Sequence, residues 1–452
     1  MTQKNSLATM SVIGWLIAAG LVICGLLYRT YSISLPSPGL NFSRQLGVVF
    51  LAAEVAFVLL ALHKGVKFRE IYADLDRNIR IALIAFLCVF WWSAFFTSPN
   101  TFGSMALTLR WIVHLAFGAA IYGSLSVVPR ESVSRLIAPV IAALFALSLL
   151  TAWHFLSASE GISMGDSPFG WGVAIPGFIS GRLFGAFCGA VLAFMLGETW
   201  LASNEKRASA WHYLAIILLA GMAIWSGTRA AVFGIICALP IAALFSRTRP
   251  NLIFMIGTSA CLFVAYMLAT SLLPFGDPYF VLFEAKDVSS GNAAMGGRVN
   301  LWSSMASLWL EHPLFGAGEG ASIWLAPAGV FPHLQPHNAI LQFLLSWGLV
   351  GTIPALYLLV RAIWHAHQAV LVRPDLMPVL AMLDALLAMA MLDGMLFFPR
   401  FIVLIFACIA ILLAASRATR TEGGTNMLAS PTGIEHSAVG SAAVPGPLRV
   451  GR

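Results

Sequence analysis

Charge is what this sequence has least of. Asp, Glu, Lys and Arg make up 10% of its 452 residues, while 59% are hydrophobic. Soluble domains carry about 25% charged residues. A soluble core cannot absorb this much apolar surface, so a soluble globular protein is excluded. Cysteine is also sparse. Cys24, Cys88, Cys188, Cys237, Cys261 and Cys408 all fall in apolar runs, without CxxC or Cys/His spacing. Neither a zinc site nor a disulfide framework is indicated. The expected outer loops also lack a clustered carboxylate set: Asp166, Asp277, Glu284, Asp287, Glu311 and Glu319 are scattered, with no DxD pair among them. No internal repeat is visible. The net charge of +7 gathers in loop flanks, so it does not point to nucleic acid.

What is present is apolar sequence in long runs. A helix needs roughly 20 apolar residues to cross the hydrocarbon. Runs near that length lie at about 11–28, 45–62, 79–96, 102–125, 136–156, 182–201, 211–226, 229–245, 251–273, 338–360, 376–392 and 399–415. The expected fold is therefore an all-α, polytopic integral membrane protein of about twelve transmembrane helices. The first run lacks a clear small-residue cleavage site after it, so an uncleaved helix is expected rather than a signal peptide.

Basic residues orient the bundle. Lys64, Lys67, Arg69, Arg77 and Arg80, then Arg130 and Arg135, Lys206 and Arg207, Arg247 and Arg249, and Arg361 and Arg373 fill alternate loops. With the tails these loops hold 18 of the 26 Lys and Arg residues. The positive-inside bias makes those loops cytoplasmic, and both termini with them. Eight basic residues lie elsewhere: Arg29, Arg44, Arg110, Arg182, Arg229, Lys286, Arg298 and Arg400. The same rule disfavours them there, so a use for some is expected.

The longest loop, about 274–336 between helices 9 and 10, falls on the periplasmic side. Within it Val299, Trp302, Met305, Ala306 and Trp309 recur at helical spacing. An amphipathic helix over 298–311 is expected, with Trp302 and Trp309 as interfacial anchors; an ordinary packed helix is the alternative. The 157–180 loop is also external, and residues 417–452 read as a disordered cytoplasmic tail.

Directly after the long loop comes His337-Asn338, nine residues, Gly348, two residues, Gly351. This spacing resembles the signature of the O-antigen ligase and Wzy polymerase superfamily of bacterial membrane glycosyltransferases. Three further stretches resemble the same family: "GRLFGAFCGAVLAFML" with Arg182, "WSGTRAAVFG" with Arg229 and "GGRVNLW…HPLFGAGEG" with Arg298. The resemblance covers about 180–360 within a transmembrane glycosyltransferase domain of 1–416. It implies transfer of an undecaprenyl-diphosphate-linked glycan, on the periplasmic face of the inner membrane, to an acceptor sugar hydroxyl. A ligase uses lipid A core as acceptor. A Wzy-type polymerase of O-antigen or exopolysaccharide uses the next lipid-linked repeat unit. Neither is expected to need a cofactor, a nucleotide sugar or a metal. A lipid-linked glycan flippase is the competing class. It should show internal repeats and a polar path through the midplane, whereas here the spare cations gather on one side.

Residue chemistry agrees with the family. The leaving group is a lipid diphosphate whose negative charge grows as the glycosidic bond breaks. Arginine pairs its planar fork with phosphate oxygens and cannot lose its charge. Arg229 and Arg298 sit at helix starts, where backbone N–H groups also favour anions. They are assigned to catalysis, with Arg182 in donor binding beside them. His337 can accept the acceptor hydroxyl's proton. Asn338 can bond either the helix end or an acceptor hydroxyl. Gly348 and Gly351, three apart, read as a face for close helix packing. His312 and His333 read as loop residues. Glu54, Arg110 with His114, Asp393 and Arg400 read as structural ion-pair members between helices.

Overall fold

The computed structural model describes residues 3–27, 46–125, 128–157, 177–178, 181–271, 298–325 and 335–428. Arg29, Arg44, Lys286, His333, residues 158–176 and 179–180 of the 157–180 loop, and the tail beyond 428 lie outside these residues.

All regular structure among the described residues is helical. The helices longer than ten residues are α1 (Gln3–Leu27), α2 (Val48–His63), α3 (Arg77–Trp92), α4 (Thr101–Ser124), α5 (Arg130–Ser157), α6 (Gly181–Asn204), α7 (Ala210–Trp225), α8 (Arg229–Ser246), α9 (Leu252–Ser271), α10 (Arg298–Glu311), α11 (Ala339–Val372), α12 (Met377–Ala390) and α13 (Pro399–Leu428). Nine of them are long and apolar enough to span a membrane. The shorter α2, α7 and α12 occupy the other three expected positions, so this is a polytopic membrane protein. The last helix extends to Leu428. It thus continues past residue 416, where the transmembrane domain is expected to end.

Short polar caps start several helices. Asn100 accepts from the Gly103 amide at 3.0 Å, and Asn251 from the Phe254 amide at 2.8 Å. Such caps satisfy amides that have no intrahelical partner.

Helix α6 lies at the centre, buried along nearly its whole length, and packs on α7, α8 and α12. Small residues set these contacts and the one between α8 and α12. A Cβ on Gly189 would lie 2.5 Å from Ala231 Cβ, and one on Gly234 would lie 2.9 Å from the Ala385 carbonyl oxygen. Lipid and protein interior are equally apolar, so close backbone approach and dispersion drive such packing.

The basic loops meet at one end of the bundle. Arg130 pairs with Glu205, Asn204 Nδ2 donates to the Arg249 carbonyl at 3.0 Å, and an Arg373 guanidinium nitrogen donates to the Val128 carbonyl at 2.9 Å. The starts of α6, α8, α11 and α13 lie at the opposite end.

Candidate active site

Arg182 and Arg229 are placed by one tight turn. Ser226, Gly227 and Thr228 join α7 to α8, with Gly227 at φ 64°. The Ser226 hydroxyl donates to the Ala223 carbonyl and lies 2.8 Å from the Thr228 hydroxyl. Thr228 Oγ1 donates to the Arg182 carbonyl at 3.0 Å. The hydroxyl pair nests against α6 because residue 185 is glycine: a Cβ there would lie 1.8 Å from Ser226 Oγ and 2.3 Å from Thr228 Oγ1. Two helix starts, each with an arginine, are thereby fixed side by side.

Arg298 opens α10, which occupies the expected 298–311. Its neighbours in charge are Asp393, Arg182 and Arg229. Burial and the two arginines push its guanidinium below the ordinary value, and Asp393 opposes them. An arginine keeps its charge under such shifts. The three arginines expected to act together are therefore gathered at one end of the bundle, with Arg298 also near the Asp393 carboxylate. Helix α10 packs inward through Met305, with Leu301, Leu308 and Trp309 against Ala317, Ala321 and Leu345. Trp309 Nε1 donates to the Pro313 carbonyl at 3.3 Å.

His337 sits just before α11 with φ 55°, in the left-handed region unusual for a non-glycine residue. Its neighbours hold it there. The His337 amide donates to Gln335 Oε1. The Asn338 side chain accepts from the Leu341 amide at 3.0 Å, and its Nδ2 donates to the Met391 carbonyl at 3.2 Å. Asn338 thus caps the helix and ties it to the turn between α12 and α13.

That turn supplies Asp393, whose Oδ1 lies 2.8 Å from His337 Nδ1. Gln335 Nε2 is 3.0 Å from the same ring nitrogen and 3.4 Å from the same carboxylate oxygen. Nδ1 cannot both give its proton to Asp393 and accept one from Gln335. The consistent arrangement has Nδ1–H donating to the carboxylate, with the glutamine amide also donating to it. Nε2 is then the acceptor nitrogen of the ring. Burial pushes the Asp393 carboxyl up. The His337 hydrogen bond and charge, the Gly394 amide and the Arg298 charge outweigh it and hold the carboxyl below its ordinary range.

The glycines of the motif differ from their expected role. Gly351 does permit close packing: a Cβ there would lie 2.8 Å from Val89 Cγ1 on α3. Gly348 instead breaks α11, with φ 59° and ψ −167°. The broken turn exchanges backbone hydrogen bonds with the loop after α10. Ala317 and Gly318 amides donate to the Leu345 and Ser346 carbonyls at 2.8 and 3.0 Å. Leu349 and Val350 amides donate to the Pro313 and Leu314 carbonyls at 2.9 and 3.0 Å. Non-helical backbone at membrane depth is tolerated where protein satisfies it. The stretch "HPLFGAG" is therefore the plug of a broken helix.

The remaining polar groups resolve as follows. His114 Nδ1 lies 2.8 Å from both Glu54 carboxylate oxygens, and an Arg110 guanidinium nitrogen lies 3.7 Å from Glu319. Arg400 donates to the Gly177 carbonyl and stacks 4.4 Å over the Phe178 ring. Asp393 turns to His337, so the structural ion-pair role first read for Asp393 and Arg400 gives way to these contacts. Asp393 is the main site residue that sequence reasoning missed. Its only signal was an acid alone in a short apolar turn.

A family model described as O-antigen ligase matches residues 214–356. The match includes Arg229, Arg298, His337, Asn338, Gly348 and Gly351; Arg182 and Asp393 lie beyond it. No curated protein matches the chain. The family match supports the resemblance drawn from the motifs, and with it a ligase- or polymerase-like role in surface polysaccharide synthesis for a multi-pass bacterial membrane protein.

Proposed function

We propose that this chain transfers a glycan from undecaprenyl diphosphate to an acceptor sugar hydroxyl on the periplasmic face of the inner membrane, as an O-antigen ligase does. The observation that carries this is the meeting of three arginines with a His337–Asp393 pair at one end of the bundle. The arginines form an anion site for the donor diphosphate. His337 Nε2 accepts the proton of the acceptor hydroxyl. The acceptor oxygen bonds the anomeric carbon, the anomeric C–O bond breaks, and its electron pair leaves with the diphosphate. Fixed cations lower the barrier because charge grows on that leaving group in a water-poor site. Asp393 orients the imidazole and stabilises the cation that forms. Asn338 serves this site by holding the His337 turn, since both ends of its amide are engaged.

The periplasmic placement follows from the basic loops at the other end of the bundle, which also puts both termini in the cytoplasm. The bond to diphosphate already activates the sugar, and the arginines supply the positive charge. The reaction is therefore assigned no metal and no nucleotide. The acceptor is lipid A core in the ligase form and a lipid-linked repeat unit in the polymerase form.

The test is transfer by purified chain in proteoliposomes, using lipid-linked glycan and acceptor extracted from a strain deleted for it. Wild-type protein should form product in excess chelator, and His337→Ala should retain donor without transferring it. A product of growing repeat number identifies the polymerase form. A metal requirement restored by Mg²⁺, or wild-type turnover in His337→Ala, overturns the mechanism.

A further inference from the structure

Arg110 and Glu319 take no part in the proposed chemistry, yet both side chains are fully buried and lie 3.7 Å apart. They join three separate pieces. Arg110 comes from the middle of α4. Glu319 comes from the loop that plugs α11, one residue past Gly318, whose amide bonds the Ser346 carbonyl. The polar neighbours of the Glu319 carboxylate are Trp111 on α4 and Gln342 and Ser346 on α11. Gln342 Nε2 in turn donates to the Leu396 carbonyl at 3.2 Å. The Arg110 guanidinium lies 5.1 Å over the Phe397 ring, in the same turn as Asp393.

We infer that Arg110 and Glu319 form a positioning pair that sets the Arg298-bearing loop and the Asp393 turn against the helix of His337. The inference rests on the transferase reading above. A buried ion pair is a poor source of stability, because desolvating two charges offsets their attraction; its attested value is in fixing one arrangement. Here the arrangement fixed is the spacing between the donor's cation and the acceptor's base. Glycan transfer is sensitive to that spacing, since a misplacement of about 1 Å can cost about 100-fold in rate. Donor capture is less sensitive, because Arg182 and Arg229 are held by a different turn and Arg298 itself keeps its charge and its paired N–H fork.

The test combines hydrogen exchange with kinetics on full-length protein. In Glu319→Gln the Ala317 and Gly318 amides should exchange at least ~10-fold faster than in wild type, as a locally opened segment does. Turnover per folded molecule should fall ~10–100-fold, with the donor KM within ~3-fold of wild type. A merely structural role would lower the folded amount and leave both constants unchanged. If Glu319→Gln does not fold, the double variant Arg110→Gln/Glu319→Gln removes both charges together and should show the same kinetic deficit. Unchanged exchange, or wild-type turnover in a folded variant, overturns the inference. Failure of wild-type protein to transfer glycan would refute the transferase reading instead, and the exchange data would still judge the pair.

Discussion

His337 and Asp393 lie 56 positions apart in the chain, and their side chains meet at 2.8 Å. The contact joins the turn before α11 to the turn before α13, so the proposed proton acceptor is held by a residue outside the family-matched segment. Asp393→Asn should keep the shape and lose the charge that stabilises the imidazolium. Turnover should fall by roughly 10²–10⁴-fold at similar donor KM. Wild-type turnover in Asp393→Asn proteoliposomes would remove Asp393 from the site.

The same carboxylate makes a pH-dependent contribution to stability. Its folded value lies below its unfolded one, so the folded state binds fewer protons between the two. The contribution is complete above about pH 4 and is lost as pH falls through the depressed folded value. The Tm difference between wild-type protein and Asp393→Asn in detergent should be largest near neutral pH and should shrink toward about pH 3. A difference that grows on acidification contradicts the direction.

Arginine geometry should matter beyond charge. Lysine at 298 keeps the charge and loses the paired N–H fork. Arg298→Lys should raise the donor KM by about tenfold, the equivalent of roughly 1.4 kcal/mol. Equal KM values for lysine and arginine would reduce Arg298 to a generic cation.

Two glycines separate backbone strain from crowding. Gly65 has φ 85° with open space around it, whereas a Cβ on Gly348 would lie 2.3 Å from the Leu314 carbonyl. Gly65→Ala should cost only the left-handed penalty, about 1–2 kcal/mol. Gly348→Ala adds a clash with backbone that cannot move, and should abolish monodisperse protein on size exclusion. Similar behaviour of both variants would show that the plugged helix break is not needed for folding.

Topology is checked by thiol labelling. Leu310 on α10 is exposed, and so is Lys64 in a basic loop. With the outer membrane permeabilised, an impermeant reagent should label Leu310→Cys in intact cells and Lys64→Cys only after lysis. The reverse pattern inverts the assigned orientation.

The positions of the twelve apolar runs were legible in the sequence because length and hydropathy are local. Arg182, Arg229, Arg298 and His337 stand out as candidates, since polar groups at the mouths of apolar helices differ from their surroundings. Asp393 did not stand out as part of the site: its partner is distant in the chain, and an isolated acid in a turn fits a structural ion pair equally well. Glu54 reads from the sequence as a structural ion-pair member without a named partner, and the structure gives it His114. Gly348 misled for a physical reason. A Gly-x-x-Gly spacing on an apolar helix describes a packing face whether or not the helix is continuous, and the break appears only in φ and ψ. Its cause, the loop around Leu314 and Gly316, has no signature in α11 itself. Tertiary hydrogen bonds decide it.

The interlock at Gly348 also bears on how the protein is made. A segment entering the bilayer alone has no partner for the amides of Leu349 and Val350 except its own preceding turn. The stretch 339–372 must therefore enter as an unbroken helix, and the loop synthesised before it can claim those amides only afterwards. Membrane insertion and completion of the arginine-bearing end are then separate events in biogenesis, and the second waits on the first.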